Sequence, residues 1–390
     1  MLHCDGRRLA ALGALASLAS LLAAAPALAQ NVKLPSTVTL TAYDTGSSGF
    51  NISVAVGKAI KDKYKSDVRV LPAGNDVARL GPLKANRAQA SAMGVGVYFA
   101  QEGVFEFATR EWGPQALQMI LASVDCNNLS AAITKDSGAT DLASLKGKRV
   151  GFVVGSPALN QNMIAMLAFA GLTTKDVTIS EFSSNGAMWK GMLNNEVDTV
   201  FGSNISGFAK ETENSPRGLF YPVMPHSDSA GWERVKKVGP YFTKHMATCG
   251  VSASKEKPLE TSAYPYPIFT VYGSQKDDIV YGIAKAMIET YNDYKDVTPG
   301  ASGLNSKTQN FQWVIPVHPA AAKAFKEAGV WKEADEANNK KLLARQKTLT
   351  DAWAAFMKTS PPDDKEAFRT AWMAARKAAL TKAGMDPIFD

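Results

Sequence analysis

Two stretches of this chain are built alike, and together they narrow the possible folds more than any other feature. Val38–Lys61 reads VTLTAYDTGSSGFNISVAVGKAIK, and Arg149–Ala170 reads RVGFVVGSPALNQNMIAMLAFA. Each is an apolar, β-branched run, then a small polar loop, then an amphipathic helical pattern. The loops are Thr45–Gly49 and Gly155-Ser156-Pro157. A strand that feeds a Gly/Ser loop and then a helix leaves unpaired backbone N–H groups and a positive dipole end facing outward. Such a junction holds a small anion without a charged side chain. Two of them point to two lobes closing on one small solute.

The surrounding pattern agrees. Val68–Leu71 reads as a strand leading to Asp76, a candidate N-cap for a helix that Pro82 interrupts. Ala92–Val97 reads as a short Gly-containing strand, with Tyr98 at its end. Gln118–Val124 and Ser130–Thr134 flank Asp125–Asn128, the expected first crossover between lobes. Val177–Ile179 and Val197–Phe201 add strands around a helix near Ala187–Leu193. Strands alternating with helices at this spacing predict a parallel, doubly wound sheet. The segment from Gly202 to Lys257 reads as irregular. Pro267–Tyr272 returns to strand character, and Asp278–Tyr291 to helix. The expected division is therefore a discontinuous first lobe, 30–125 with 250–330, and a second lobe, 126–249. In the tail, 331–390, Leu342, Leu349, Trp353 and Phe356 share a helical stripe. Pro361-Pro362 ends that helix, and Asp363 and Asp364 start another containing Phe368, Trp372 and Ala375. We expect a helical extension packed on the body.

The first residues predict export. Arg7 and Arg8 precede the apolar run Leu9–Leu22, and Ala27-Leu28-Ala29 gives a small-x-small cleavage pattern before Gln30. The expected signal is 1–29, with periplasmic localisation. Cys4 stands ahead of the apolar run, which disfavours a lipoprotein anchor. Only Cys126 and Cys249 follow the cleavage point; an oxidising compartment permits their pairing, which the sequence leaves open. The net charge of +7 comes from dispersed Lys and Arg, without the clusters nucleic-acid binding needs.

Catalytic and metal chemistry find little to stand on. His226, His245 and His318 occur without HExxH or CxxC spacing, so no metal or cofactor is expected. Ser252-Ala253-Ser254-Lys255 matches S-x-x-K only formally, without a companion KTG. Neutral polar groups at loop–helix junctions remain: Thr45, Ser47, Ser48, Asn51, Asn75, Ser156, Asn160 and Asn204. Singly, each reads best as a cap or turn residue. Collectively they fall at C-terminal strand ends, where α/β lobes bind ligands. Arg79 could pair with a ligand carboxylate or form a surface salt bridge. Tyr98, Tyr264 and Tyr266 could line the pocket, with core packing as the default.

One further pattern lies in the order of the motifs. A TGG-like loop is matched by Thr45–Gly49, and a GGS-like turn with its following strand by Ala73–Asp76 and Leu83–Val95. A D-L-K-G-K-R-V-like stretch before a G-S-G-T-like loop is matched by Asp141–Val150 and Gly155–Ala158. Ala170-Gly171-Leu172, Asp176-Val177, Val197-Asp198 and Asp278–Tyr281 continue the series. Over Val38 to Trp331 the chain thereby resembles the TAXI-type solute receptors of TRAP transporters. It departs from them at Asn51-Ile52-Ser53, Val97-Tyr98-Phe99 and Pro157-Ala158, all in the cleft-facing loops, so a ligand does not carry over.

The resemblance implies a two-lobed, periplasmic-binding-protein-like α/β fold (type II-like) with a helical extension. It also implies a non-enzymatic extracytoplasmic receptor for a small organic acid or amino acid, delivering it to TRAP permease subunits. The alternatives are a periplasmic sensor for a signalling partner and an ABC-type substrate-binding protein.

Overall fold

The computed structural model describes residues 32–389, and the export signal expected over 1–29 lies outside the described residues. Within them, two five-stranded mixed sheets organise the chain. The first contains β1 (Thr37–Ala42), β2 (Asp67–Pro72), β3 (Ala90–Met93), β4 (Leu117–Ala122) and a late strand, β12 (Ile268–Tyr272), in the order β2-β1-β3-β12-β4. β1 runs parallel to β2 and β3, whereas β12 runs antiparallel to both β3 and β4. The second contains β5 (Leu129–Thr134), β6 (Arg149–Val153), β7 (Thr178–Phe182), β8 (Thr199–Ser203) and β9 (Leu219–Phe220), in the order β7-β6-β8-β5-β9. Here β6 is parallel to β7 and β8, and β5 lies antiparallel to β8. In each sheet four strands run parallel and one, β12 in the first and β5 in the second, runs antiparallel between two of them.

Three parallel strands of each sheet feed a helix directly. In the first sheet these are α1 (Ser48–Tyr64), α2 (Asp76–Lys84) and α3 (Gly96–Glu102); in the second they are α4 (Pro157–Phe169), α5 (Asn185–Leu193) and α6 (Gly207–Asn214). Local chemistry sets their starts. Ser47, Asn75, Ser184 and Ser206 each accept a backbone N–H of the first turn, and Pro157 occupies the first position of α4. α1 buries Ile52, Val56, Ala59 and Ile60 on one face and comes so close to β2 that a Cβ on Gly57 would lie 2.9 Å from Val68 Cβ.

Three expectations are corrected. Asn75, rather than Asp76, caps α2, accepting from Ala78 N at 2.8 Å. Asp76 follows as the first helical residue. The strand expected over Ala92–Val97 stops at Met93, because Gly96 already opens α3, which places Tyr98 on a helix. Gly202–Lys257, expected as irregular, contains β8's end, α6, β9, α7 (Ser229–Val238) and β10 (Thr243–Ala247). Asp228 caps α7, whose Trp232 and Val235 face inward. Short elements between prolines offer too few periods to read.

β10 pairs with β11 (Leu259–Ala263) in a small antiparallel sheet. Ser262 Oγ donates to Leu129 O at 2.7 Å, fastening this pair to β5. β11 therefore packs with the second sheet although it falls in the segment assigned by sequence to the first lobe. The chain returns at β12 and continues through α8 (Asp277–Glu289), α9 (Tyr291–Tyr294) and α10 (Pro319–Glu327). The tail forms a hairpin of α11 (Glu333–Met357) and α12 (Lys365–Lys382), with Asp364 capping α12. This hairpin rests on α3, where Glu102 is bonded by Arg345 and Arg376 and Trp372 donates to Gly103 O at 2.7 Å. Cys126 and Cys249 form a disulfide with Cα atoms 5.5 Å apart. The whole is a two-lobed, periplasmic-binding-protein-like α/β fold with a helical C-terminal extension.

Candidate functional site

The C-terminal ends of β1 and β2 face those of β6, β7 and β8, and a partly open cavity of about 40 Å³ lies between the lobes. That space holds roughly three waters. Tyr43, Ser47 and Ser48 line it from the first sheet, and Asn185, Ser203 and Ser206 from the second. Aromatic walls complete it. Trp189 and Phe208 stack at 6.1 Å between ring centres, and Tyr264 and Tyr266 close the side next to the returning β12. Among the described residues, none that lines it is ionic.

The charged groups sit just behind this lining and satisfy one another. Asp76 and Arg79 are both fully buried, and the Arg79 guanidinium bonds the Asp76 carboxylate. Arg79 also donates to Ala92 O at 2.8 Å and lies 3.4 Å from the centre of the Tyr43 ring. The Tyr43 hydroxyl donates to Asp76 Oδ1 at 2.9 Å and meets Ser156 Oγ at 2.9 Å. Burial pushes the Tyr43 hydroxyl far above its ordinary range, against the pull of Arg79, so it stays a neutral donor. Asp76 Oδ2 takes Ala158 N at 2.8 Å and Ser156 Oγ at 3.3 Å. With four donors, this carboxylate has used its accepting capacity. Gly96 makes room for it, since a Cβ there would fall 2.6 Å from Asp76 Cγ.

Other helix starts around the cavity meet acceptors too. Gly186 N, in the first turn of α5, donates to Asp44 Oδ2 at 2.8 Å. Gly207 N, opening α6, donates to Gly46 O at 2.9 Å. The Tyr266 hydroxyl lies against the start of α1, 2.8 Å from where a Cβ on Gly49 would stand, and burial raises its pKa against the pull of Arg79.

The residues named from sequence separate into groups. Ser47 and Ser48 line the cavity, and Ser156 lies buried behind it on Tyr43 and Asp76. Thr45 is exposed, and Asn51 is half-buried within α1. Asn75 caps α2 and packs beside Gly155. Arg79 serves Asp76 inside its own lobe. Tyr98 packs edge-on against Tyr241 and Phe389. Asn160 bonds both the N–H and the carbonyl of Val153, at 2.9 and 3.0 Å. Asn204 accepts Asn128 N at 3.0 Å and donates to Cys249 O and Val251 O, fastening the crossover. Tyr43, Asp44, Asn185 and Trp189 were not singled out from the sequence. Asp44, directly before the Gly/Ser loop, carried the one local signal.

The architecture is thus two α/β lobes meeting at a cleft. The family model described as the NMT1-like family matches residues 40–329, and the chain belongs to that family. Among solved structures, it is similar to an ancestral arginine-binding protein bound to arginine, at 15% identity and a TM-score of 0.41, over 68% of this chain and 96% of that one. The alkanesulfonate-binding protein SsuA from Xanthomonas axonopodis pv. citri, bound to MOPS, matches at 13% identity and 0.42, over 80% and 95%. A protein from Bordetella bronchiseptica RB50 matches at 13% and 0.43, over 90% and 98%. Among the described residues, no helix is long and apolar enough to cross a membrane.

Proposed function

We propose that this protein is an extracytoplasmic solute receptor, exported after removal of 1–29, that binds a small organic anion between its lobes and delivers it to a TRAP-type permease. The two lobes are 30–125 with the later part of 250–330, and 126–249 extended through β11. The observation that carries the reading is the cavity between opposed strand ends, where serine hydroxyls and the Asn185 amide stand among aromatic walls. A carboxylate, or the carboxylate of an amino acid, fits the hydroxyls of Ser47, Ser48, Ser203 and Ser206 with the Asn185 amide. It does not take the N-terminus of α4, because Asp76 occupies that place. The solute enters an opened form, since about 40 Å³ is far below the several hundred Å³ of ordinary ligand pockets. TRAP delivery rests on the motif series from Thr45 to Tyr281; an ABC importer is the rival partner.

Thermal unfolding of the chain from Gln30 onward, against dicarboxylates, keto acids and amino acids, tests the reading. A solute at a hundred times its dissociation constant adds about 2.7 kcal/mol, a shift of several degrees. A panel without any shift, from protein freed of carried-over solute by unfolding and refolding, overturns the anion assignment.

A further inference from the structure

We infer that Asp76 and Asp44 form a closure latch, in which carboxylates of the first lobe dock onto the helix N-termini of the second and hold the lobes together. The inference rests on the two-lobed hinge of the proposed receptor, not on the identity of its solute.

Four of the contacts between the lobes run in one chemical direction, while Val77 N donates the other way, to Gly155 O at 3.2 Å. The acceptors Asp76 Oδ2, Asp44 Oδ2, Gly74 O and Gly46 O come from the first lobe. Ala158 N, Gly186 N, Asn185 N and Gly207 N come from the second, at 2.8 to 2.9 Å. α4 and α5, of 13 and 9 residues, present positive dipole ends to the two carboxylates. The lobes also touch at backbone level: a Cβ on Gly74 would fall 2.4 Å from Ser184 Cβ.

Asp76 is prepared for this role before closure. The Arg79 guanidinium and the Tyr43 hydroxyl hold it from within its own lobe, and Arg79 is itself held by Ala92 O. When the lobes part, Asp76 keeps Arg79 and Tyr43, while the N–H groups of α4 and α5 turn to water. Both states are therefore chemically complete, which a two-state latch requires. Asp44 adds a second charged contact, half-buried and outside the Arg79 cluster. Hydrogen bonds to charged groups are the strong ones, so each carboxylate shifts the closed-to-open ratio by roughly tenfold.

The test reads interlobe distance and needs no solute. Spin labels at Lys61→Cys on α1 and Lys175→Cys, both exposed, report the separation in the chain from Gln30 onward, which lacks Cys4, with its disulfide intact. Asp76→Asn and Asp44→Ala are each expected to move the distance distribution toward longer values, with the open fraction rising roughly tenfold relative to the closed. Asp76→Asn leaves Arg79 buried without its carboxylate and can fail to fold; Asp44→Ala touches no such pair and carries the test alone in that event. Distributions unchanged in Asp44→Ala overturn the latch. A silent solute panel alongside a lengthened distance overturns the anion reading and leaves the latch standing.

Discussion

Asn160 spends both halves of its side-chain amide on one backbone position, closing a ring between the start of α4 and the end of β6. Its place after a polar loop made it a candidate for the solute; the tertiary contacts make it a brace for the strand–helix turn. Asn160→Ala is expected to cost about 1–2 kcal/mol in chemical denaturation, because Val153 N loses its side-chain acceptor and Val153 O keeps only Ser156 N, while the interlobe distance stays unchanged. Asn204 shows the same division at the crossover, where one amide serves Asn128, Cys249 and Val251. Ser47 was legible as a capping type from sequence alone, since capping depends on residues three positions away, whereas at α2 the sequence favoured Asp76 and the structure caps with Asn75. That Ser47 also lines the cavity depends on the facing lobe, which no local pattern records.

At the scale of elements, the tail hairpin shows how much periodicity conveys. Phe368, Trp372 and Leu380 repeat at helical spacing, Pro361-Pro362 separates the two helices, and Asp364 caps the second. All of this is written locally. What the hairpin grips is not. Trp372 packs edge-on to Trp353 at 4.8 Å between ring centres, and Gly113 lies so close that a Cβ there would overlap the Trp353 ring. Glu102, fully buried at the end of α3, is bonded by Arg345 and Arg376 from both tail helices. Trp372→Ala is expected to cost about 3–5 kcal/mol in equilibrium unfolding, through cavity formation and the lost bond to Gly103 O. The strand misread at Ala92–Val97 belongs to this scale as well. Met93 to Gly96 is apolar in either geometry, and only Asp76, lying against Gly96, shows why the chain turns there.

For the molecule as a whole, the disulfide joins the crossover leaving the first sheet to the loop after β10, across a separation of 123 residues. Thr248 N also donates to Cys126 O at 2.9 Å, so the two segments are already neighbours. Replacing both cysteines by serine is expected to lower unfolding free energy by about 2–4 kcal/mol, chiefly by freeing the unfolded chain, with the far-UV spectrum of the native state retained.

The sequence by itself determined the paired strand–loop–helix units and the two tail helices, because each follows from residues within a few positions of one another. Tertiary structure decided which groups stand at the cleft. Asp44 and Asp76 reach Gly186 and Ala158 across 142 and 82 positions. Likewise Arg79 faces inward because its own lobe supplies Asp76, Tyr43 and Ala92 O. A charge comes to rest where its desolvation is best compensated, and that is settled only when both lobes are in place.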